Sequence, residues 1–452
     1  MSDTKKKNQI DMLNGPTLRK ILLFALPLAA SSILQQLFNS ADYAVVGRFA
    51  GSEALAAVGA NSSVINLLIG LFVGLSIGAN VVIANYIGQQ KKDKVKDAVH
   101  TSIAVSIISG IFLIGVGFVA ARPILVFIDT PPDVLELAVI YLKVYFAGMP
   151  FIMVYNFGSA ILRSVGDTKR PLYCLIATGF VNVALNLIFV IIFEMSVVGV
   201  ALATLIANAL SAIIIVYLLV KEDELIRLDI RNLYINKADL IKMIKIGLPA
   251  GIQGVVFSLS NVCIQSGINS FGTNAVAGSA AAFNYEIYTY YVDNAFCQAA
   301  VTFIGQNYAA GKYERCRRIF KECMICGMII MGVMITVFCV FNEFFVGIYT
   351  TDPLDIKYGV IRLLRVESLG LLPCFFEITS GALRGMGNSM SPAVLTILGT
   401  CVLRVVWVYT IFPIFNSYEM LLTVYPVTWI VTGILMMSAY FIITRKKYKT
   451  VS

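Results

Sequence analysis

The chain has 452 residues, of which 58% are hydrophobic and only 13% charged, with a formal net charge of +9. A soluble globule carries about a quarter charged residues, so this composition excludes one. The many apolar stretches of about 20 residues point instead to a membrane-embedded chain. The basic excess sits in short segments with no groove-reading or aromatic-lined face, which argues against nucleic-acid binding.

Met1 to Lys20 is polar, with Lys5, Lys6 and Lys7, and reads as a tail because no small-residue cleavage site precedes the first apolar run. Twelve spans are expected after it, near 21–45, 53–87, 98–120, 134–160, 172–193 and 197–219, then 243–268, 274–307, 319–341, 358–382, 393–413 and 420–443. The expected layout is a tail (1–20), a first six-span lobe (21–220), a polar linker (221–242), a second six-span lobe (243–443) and a tail (444–452). Segments on the side carrying both termini hold 28 of the 35 Lys and Arg, which places termini and linker in the cytoplasm of a bacterial-type inner membrane.

The two lobes read as one plan used twice. Leu248-Pro249 answers Leu26-Pro27 at an offset of 222, Ile304 to Gln306 answers Ile87 to Gln89 at 217, and Ala382 to Pro392 answers Ile161 to Pro171 at 221. Six spans per lobe make this a parallel repeat, a design used by transporters that rock two bundles about a central cavity. Pro27, Pro249, Pro150 and Pro373 mark bends at matching places. Gly70, Gly74 and Gly78 form a ladder for close helix packing.

Ionisable groups at membrane depth are expensive and commonly functional. In the first span Gln35, Asn39 and Asp42 share one helix face; Asp42 is either a cation-responsive group or an acid at the outer interface. Asn182 and Asn186, one turn apart, are candidate hydrogen-bonding residues of the first lobe's cavity. The eighth span carries Asn284, Tyr285, Glu286, Tyr290 and Asp293, with Glu286, Tyr290 and Asp293 on one side. Carboxylates beside aromatic rings suit a lipophilic cation. The alternative is a tyrosine-rich packing helix with satisfied acids. Arg404, in the eleventh span, needs an acidic partner, and depth offers Glu367 or Glu377 as a structural pair or part of a site. His100, the single histidine, falls at the cytoplasmic edge.

Catalytic and cofactor patterns do not hold up. Gly74 to Gly78 matches GxSxG, but inside an apolar helix and without a histidine–acid pair. There is no phosphate-binding GxxxxGK[ST], so an ion gradient or the membrane potential is the expected energy source. The nine cysteines are odd in number, and Cys323 and Cys326 read as core thiols; no metal or other cofactor is expected.

Several stretches together resemble the MATE (multidrug and toxic compound extrusion) family: Ala41 to Ala60, Tyr141 to Phe151, Ile161 to Pro171, Val198 to Ala212, Ile304 to Lys312 and Gly381 to Pro392. The resemblance implies an all-α integral membrane antiporter of twelve helices in two lobes. It implies a monomer in membrane lipid that exports small amphiphilic, often cationic compounds in exchange for H+ or Na+. On it, Asp42 matches the family's first-span acid. The family's NxxxD in the fifth span reads Asn182 to Asn186 here, an amide in place of the acid. A glutamate common after the seventh-span proline is Ser258. Gln35, Asn39, Asn182 and Asn186 thus join Asp42 as cation-coupling candidates, with Glu286, Asp293, Tyr285, Tyr290 and Asn284 as substrate-binding candidates. A lipid-linked oligosaccharide flippase of the same superfamily is the alternative, and it would need a cationic cavity.

Overall fold

The computed structural model describes residues 9–128, 130–222 and 225–449. Lys5, Lys6 and Lys7 of the expected first tail, two linker residues and the last three residues of the second tail lie outside them. The described residues are helices joined by short turns, as apolar surroundings demand, because every backbone N–H and C=O must find its partner within its own segment. In chain order these are α1 (Leu18–Val45, with a π turn Val46–Ala50), α2 (Ser52–Gly88), α3 (Lys92–Phe127), α4 (Pro132–Ala147), α5 (Met149–Ser164), α6 (Lys169–Leu187, with a π turn Ile188–Ile192) and α7 (Ser196–Val220). The second series is α8 (Lys237–Asn269), α9 (Thr273–Ala309), α10 (Tyr313–Val340), α11 (Pro353–Arg365), α12 (Leu372–Gly385), α13 (Met390–Phe415) and α14 (Val424–Lys449).

Each expected span falls on one of these helices or on a broken pair. Among the described residues nine helices are long and apolar enough to cross a bilayer, ten with the pair α4–α5, which bends by 46°. Helix α9 has 37 residues, about 55 Å at 1.5 Å per residue, and so exceeds the ~30 Å hydrocarbon core despite its polar content. The tenth expected span is the pair α11 and α12, interrupted at Glu367–Leu369. Pro150 and Pro373 each sit in the first turn of the helix that restarts after a break, where the missing N–H costs nothing.

The repeat extends to backbone conformation. Positive φ recurs at Gly51 (92°) and Gly272 (88°), at Gln90 (58°) and Gly311 (72°), and at Gly166 (87°) and Gly387 (81°), each pair 221 residues apart. The landmark ending in proline is thereby explained. Gly166 and Gly387 close a helix in the left-handed conformation, with Asp167 N–H and Asn388 N–H bonding back to Leu162 and Leu383. The next side chain then caps the following helix: Asp167 accepts from Lys169 and Arg170 N–H at 3.1 Å, and Asn388 accepts from Ser391 N–H at 3.2 Å.

Contacts divide the chain into two compact units: Ala30–Gly251 with the segment ending at Asp11, and Ile252–Ser452 with Met12–Ala29. The division differs from the lobes drawn on the sequence. It cuts α1 and α8 two residues beyond Pro27 and Pro249, where a lost i→i−4 bond lets each helix change course. Within the first unit the polar linker is tied down rather than loose. Asp229 N–H donates to His100 Nε2 at 3.2 Å, and Asn236 N–H to Thr101 Oγ1 at 2.9 Å. The Tyr234 ring stacks on the imidazole at 5.3 Å and its hydroxyl donates to Asp97 at 2.6 Å. Burial, reinforced by Asp97, pushes the Tyr234 hydroxyl up to about 12. His100 is 1% exposed under this strap.

The glycine ladder of α2 meets glycines of α8 in the same unit. A Cβ on Gly74 would collide with the backbone of Gly251, and one on Gly78 with the carbonyl of Met243; Gly70 faces open space. Gly74→Ala should therefore lower thermal stability by about 1–3 kcal/mol, since backbone cannot move aside. Gly70→Ala should be neutral or mildly stabilising. A thermal melt of the purified protein decides; equal behaviour of the two variants would dismiss this packing role.

Candidate functional site

In the first unit, α1, α6 and α7 bring polar side chains onto a cavity of about 110 Å³ lined by Gln35, Asn39, Asp42, Asn182 and Thr204, among others. The i, i+4, i+7 spacing of Gln35, Asn39 and Asp42 places all three on its wall. Asn186, fully buried one turn beyond Asn182, donates its amide to Asp42 Oδ1 and, at 3.4 Å, to Asn182 Oδ1. Asn182 donates in turn to Thr204 Oγ1 at 3.4 Å. The Asn186 Oδ1 is buried with no donor. The result is one carboxylate surrounded by amide and hydroxyl oxygens and no fixed cation, the donor set of a hard monovalent cation or a proton. Among the described residues no cluster of His, Cys, Asp and Glu could hold a transition metal.

The second unit is arranged otherwise than the sequence suggests. Glu286 is bound by Arg362, which donates Nε to Oε1 at 2.6 Å and Nη2 to Oε2 at 2.8 Å. Both side chains are largely buried, at 3% and 12% exposure. Arg362 also donates to Ser279 Oγ at 2.7 Å and to the Tyr425 hydroxyl at 3.4 Å. The carboxylate that looked free for a cationic ligand is thus neutralised internally. Arg362 was missed, although Glu286 at that depth required a cation and Arg362 and Arg365 were the ones on the tenth span.

The other expectations for this unit sort by helix face. Tyr285 is turned away from Glu286, donates to the Phe345 carbonyl at 2.6 Å and packs against Phe338 and Phe345, so it is a packing residue. Asn284 bonds to the Ala280 carbonyl of its own helix at 2.9 Å. Tyr290 is 46% exposed and receives only a long bond from Asn294. Asp293 is fully buried, its oxygens lacking a hydrogen bond of ordinary geometry, with the Cys374 thiol and Glu377 as polar neighbours. Arg404 does not pair with Glu367 or Glu377. Its Nη1 donates to Asn261 Oδ1 at 2.6 Å, and Phe257 and Tyr425 cover its guanidinium. Glu377 lies near Arg384 and Asp293, and Glu367 near the Arg362–Glu286 pair, because the break between α11 and α12 separates the two acids.

Breaking one partner of a buried pair costs about 3–5 kcal/mol because the other charge is left unmatched. Glu286→Gln should therefore destabilise strongly, while Asp293→Asn, which removes an acid that has no opposite charge, should be neutral or stabilising. Thermal melts of the two variants should rank in that order; a Glu286→Gln as stable as wild type would mean that the pair contributes nothing.

Three comparisons bear on what such a chain is. The chain is 27% identical over 84% of its length, and 83% of the relative's, to "Probable multidrug resistance protein YoeA" of Bacillus subtilis. It is 27% identical over 87% of its length, and 85% of the relative's, to "Probable multidrug resistance protein NorM" of Thermotoga maritima. Its fold matches a solved outward-facing multidrug resistance MATE family transporter of the MOP superfamily with a TM-score of 0.90, covering 97% of this chain and 98% of that one at 24% identity. The MatE family model matches twice, at residues 27–188 and 249–410, once per repeat. The chain belongs to the MatE family of membrane transporters.

Proposed function

We propose that the chain is a secondary active exporter of amphiphilic organic compounds, often cationic, driven by a cation that binds at Asp42. The observation that carries this is the one carboxylate among the residues lining the first unit's cavity, Asp42, whose described hydrogen bond comes from an amide. A fixed arginine or lysine would quench Asp42; an amide orients it and leaves its charge for a mobile cation. The unmatched Asn186 oxygen and the weakly engaged Asn182 oxygen supply further ligands that suit sodium, while the carboxylate alone suits a proton. Exchange follows if bound cation and bound substrate favour opposite states of the two lobes, 21–220 and 243–443. The basic residues support cytoplasmic termini. The relatives' names support multidrug substrates.

The flippase alternative would need a group of open cations to hold a pyrophosphate. Among the described buried arginines of the second unit, Arg362 is taken by Glu286 and Arg384 lies beside Glu377, which leaves Arg404 alone rather than a group.

Vesicles loaded with a fluorescent lipophilic cation, with pH and sodium gradients imposed separately, test the proposal. Asp42→Asn should cut gradient-driven export by more than about tenfold, a change of ~1.4 kcal/mol. Asn186→Ala should weaken sodium-driven export and spare proton-driven export. Wild-type rates for Asp42→Asn under both gradients would remove Asp42 from coupling.

A further inference from the structure

Arg404 is 1% exposed, and of the five N–H groups of a guanidinium it has one matched, by Asn261; Nε is buried with no acceptor. The Phe257 and Tyr425 ring centroids lie 4.8 Å from Cζ and cover its plane, but rings do not accept the bonds that the guanidinium edge offers. The charged groups near it, Arg362 and Glu286, are locked to each other. An arginine with four of its five N–H groups matched stands beside one with a single match. Leaving buried donors unmatched is costly, so a permanently empty edge has no packing rationale that an apolar side chain would not serve better.

The local backbone is also unusual. π turns at Ile397–Val402 and Trp407–Ile411 frame the one α turn, Leu403–Val406, that carries Arg404, and such turns concentrate at functional sites. The repeat adds an independent argument. The family model's two matches are 222 residues apart at both ends. At that offset Asn39 corresponds to Asn261, Gln35 to Phe257 and Asn182 to Arg404. The offset is 221 at Pro171 and Pro392, and the π turn at Ile397–Val402 is where the extra residue is absorbed. Arg404 and Asn261 therefore occupy the places that Asn182 and Asn39 hold on the first unit's cavity, with the sign of the charge reversed.

We infer that Arg404, whose Nη1 is held by Asn261, forms with the Phe257 and Tyr425 rings a second-unit site for the anionic group, carboxylate or sulfonate, of an amphiphilic ligand whose apolar body lies on the rings. The guanidinium edge supplies two parallel charge-assisted bonds, the geometry such an anion takes best. Phe257 and Asn261 are half-buried, which puts the edge of the site at the unit's surface. The inference deepens the export reading and rests on it for its biological meaning. Binding is measured without transport, so failed export would leave the site standing and failed binding would leave export standing.

The probe is anilinonaphthalene sulfonate, with N-phenylnaphthylamine as the uncharged counterpart, added to the full-length protein in detergent. Both tryptophans, Trp407 and Trp429, are in this unit, and Trp429 lies 5.7 Å from Tyr425, so energy transfer from tryptophan reports dye at this place. Arg404→Gln should weaken the sulfonate dye by at least about tenfold and leave the neutral dye within about twofold; Arg404→Lys should keep part of the affinity. Asn261→Ala, which releases Nη1, should bind the sulfonate at least as tightly as wild type, and it decides the matter if Arg404→Gln does not fold. Equal loss of both dyes, no loss in Arg404→Gln, or loss of the sulfonate in Asn261→Ala overturns the site. Phosphatidylglycerol that displaces the sulfonate identifies a lipid headgroup as the occupant, and failure to displace it identifies a non-lipid amphiphile; either result keeps the anion site.

Discussion

A charge inside an apolar bundle must be matched, and the molecule meets that demand in three distinct ways. Glu286 and Arg362 match each other through two short bonds, with Ser279 and Tyr425 taking the remaining donors. Asp42 is held by a neutral amide, which satisfies one lone pair and leaves its charge uncompensated. Arg404 is covered on its faces by rings and on its edge by a single carbonyl. The first arrangement is closed and structural, because any ligand would have to compete with a bidentate partner. The other two are incomplete in ways that water cannot easily repair at depth, and that incompleteness is the ground on which both are proposed as sites.

The scaffold that holds these groups is set by backbone geometry repeated at fixed intervals. A left-handed residue ends the corresponding helix in each repeat, and a short polar side chain, Asp167 or Asn388, starts the next one after Gly166 or Gly387. Those turns fix where each helix enters and leaves within its repeat. Proline recurs on the same plan: Pro27 and Pro249 lie inside long helices whose two ends belong to different compact units.

The architecture was legible in the sequence because apolar length and landmark spacing survive any choice of side-chain partner. Helix α9 is not among the nine helices apolar enough to cross a bilayer by length and composition, yet its apolar pattern over 274–307 gave the eighth expected span. The first unit's polar group was legible for the same reason: i, i+4 and i, i+7 spacings on regular helices fix which side chains share a face. The second unit was not. Its partners come from helices interrupted at Glu367–Leu369 and Ile397–Val402, where the 3.6-residue period fails and depth no longer predicts neighbours. Arg404 was assigned an acid by depth and found an amide, while Glu286 was read as open and found Arg362.

That contrast bears on how a duplicated chain acquires two chemistries. With helix ends, breaks and bends preserved, substitution at one cavity position changes the charge of the site without disturbing the frame around it. An asparagine at 182 leaves Asp42 to set the sign of the first cavity. An arginine at 404, where the counterpart of Asp42 is the apolar Ile264, puts a positive charge at the corresponding place in the second unit. The aromatic faces at Phe257 and Tyr425 then do for the guanidinium what the amides do for the carboxylate: they hold its position while leaving its strongest donors uncommitted.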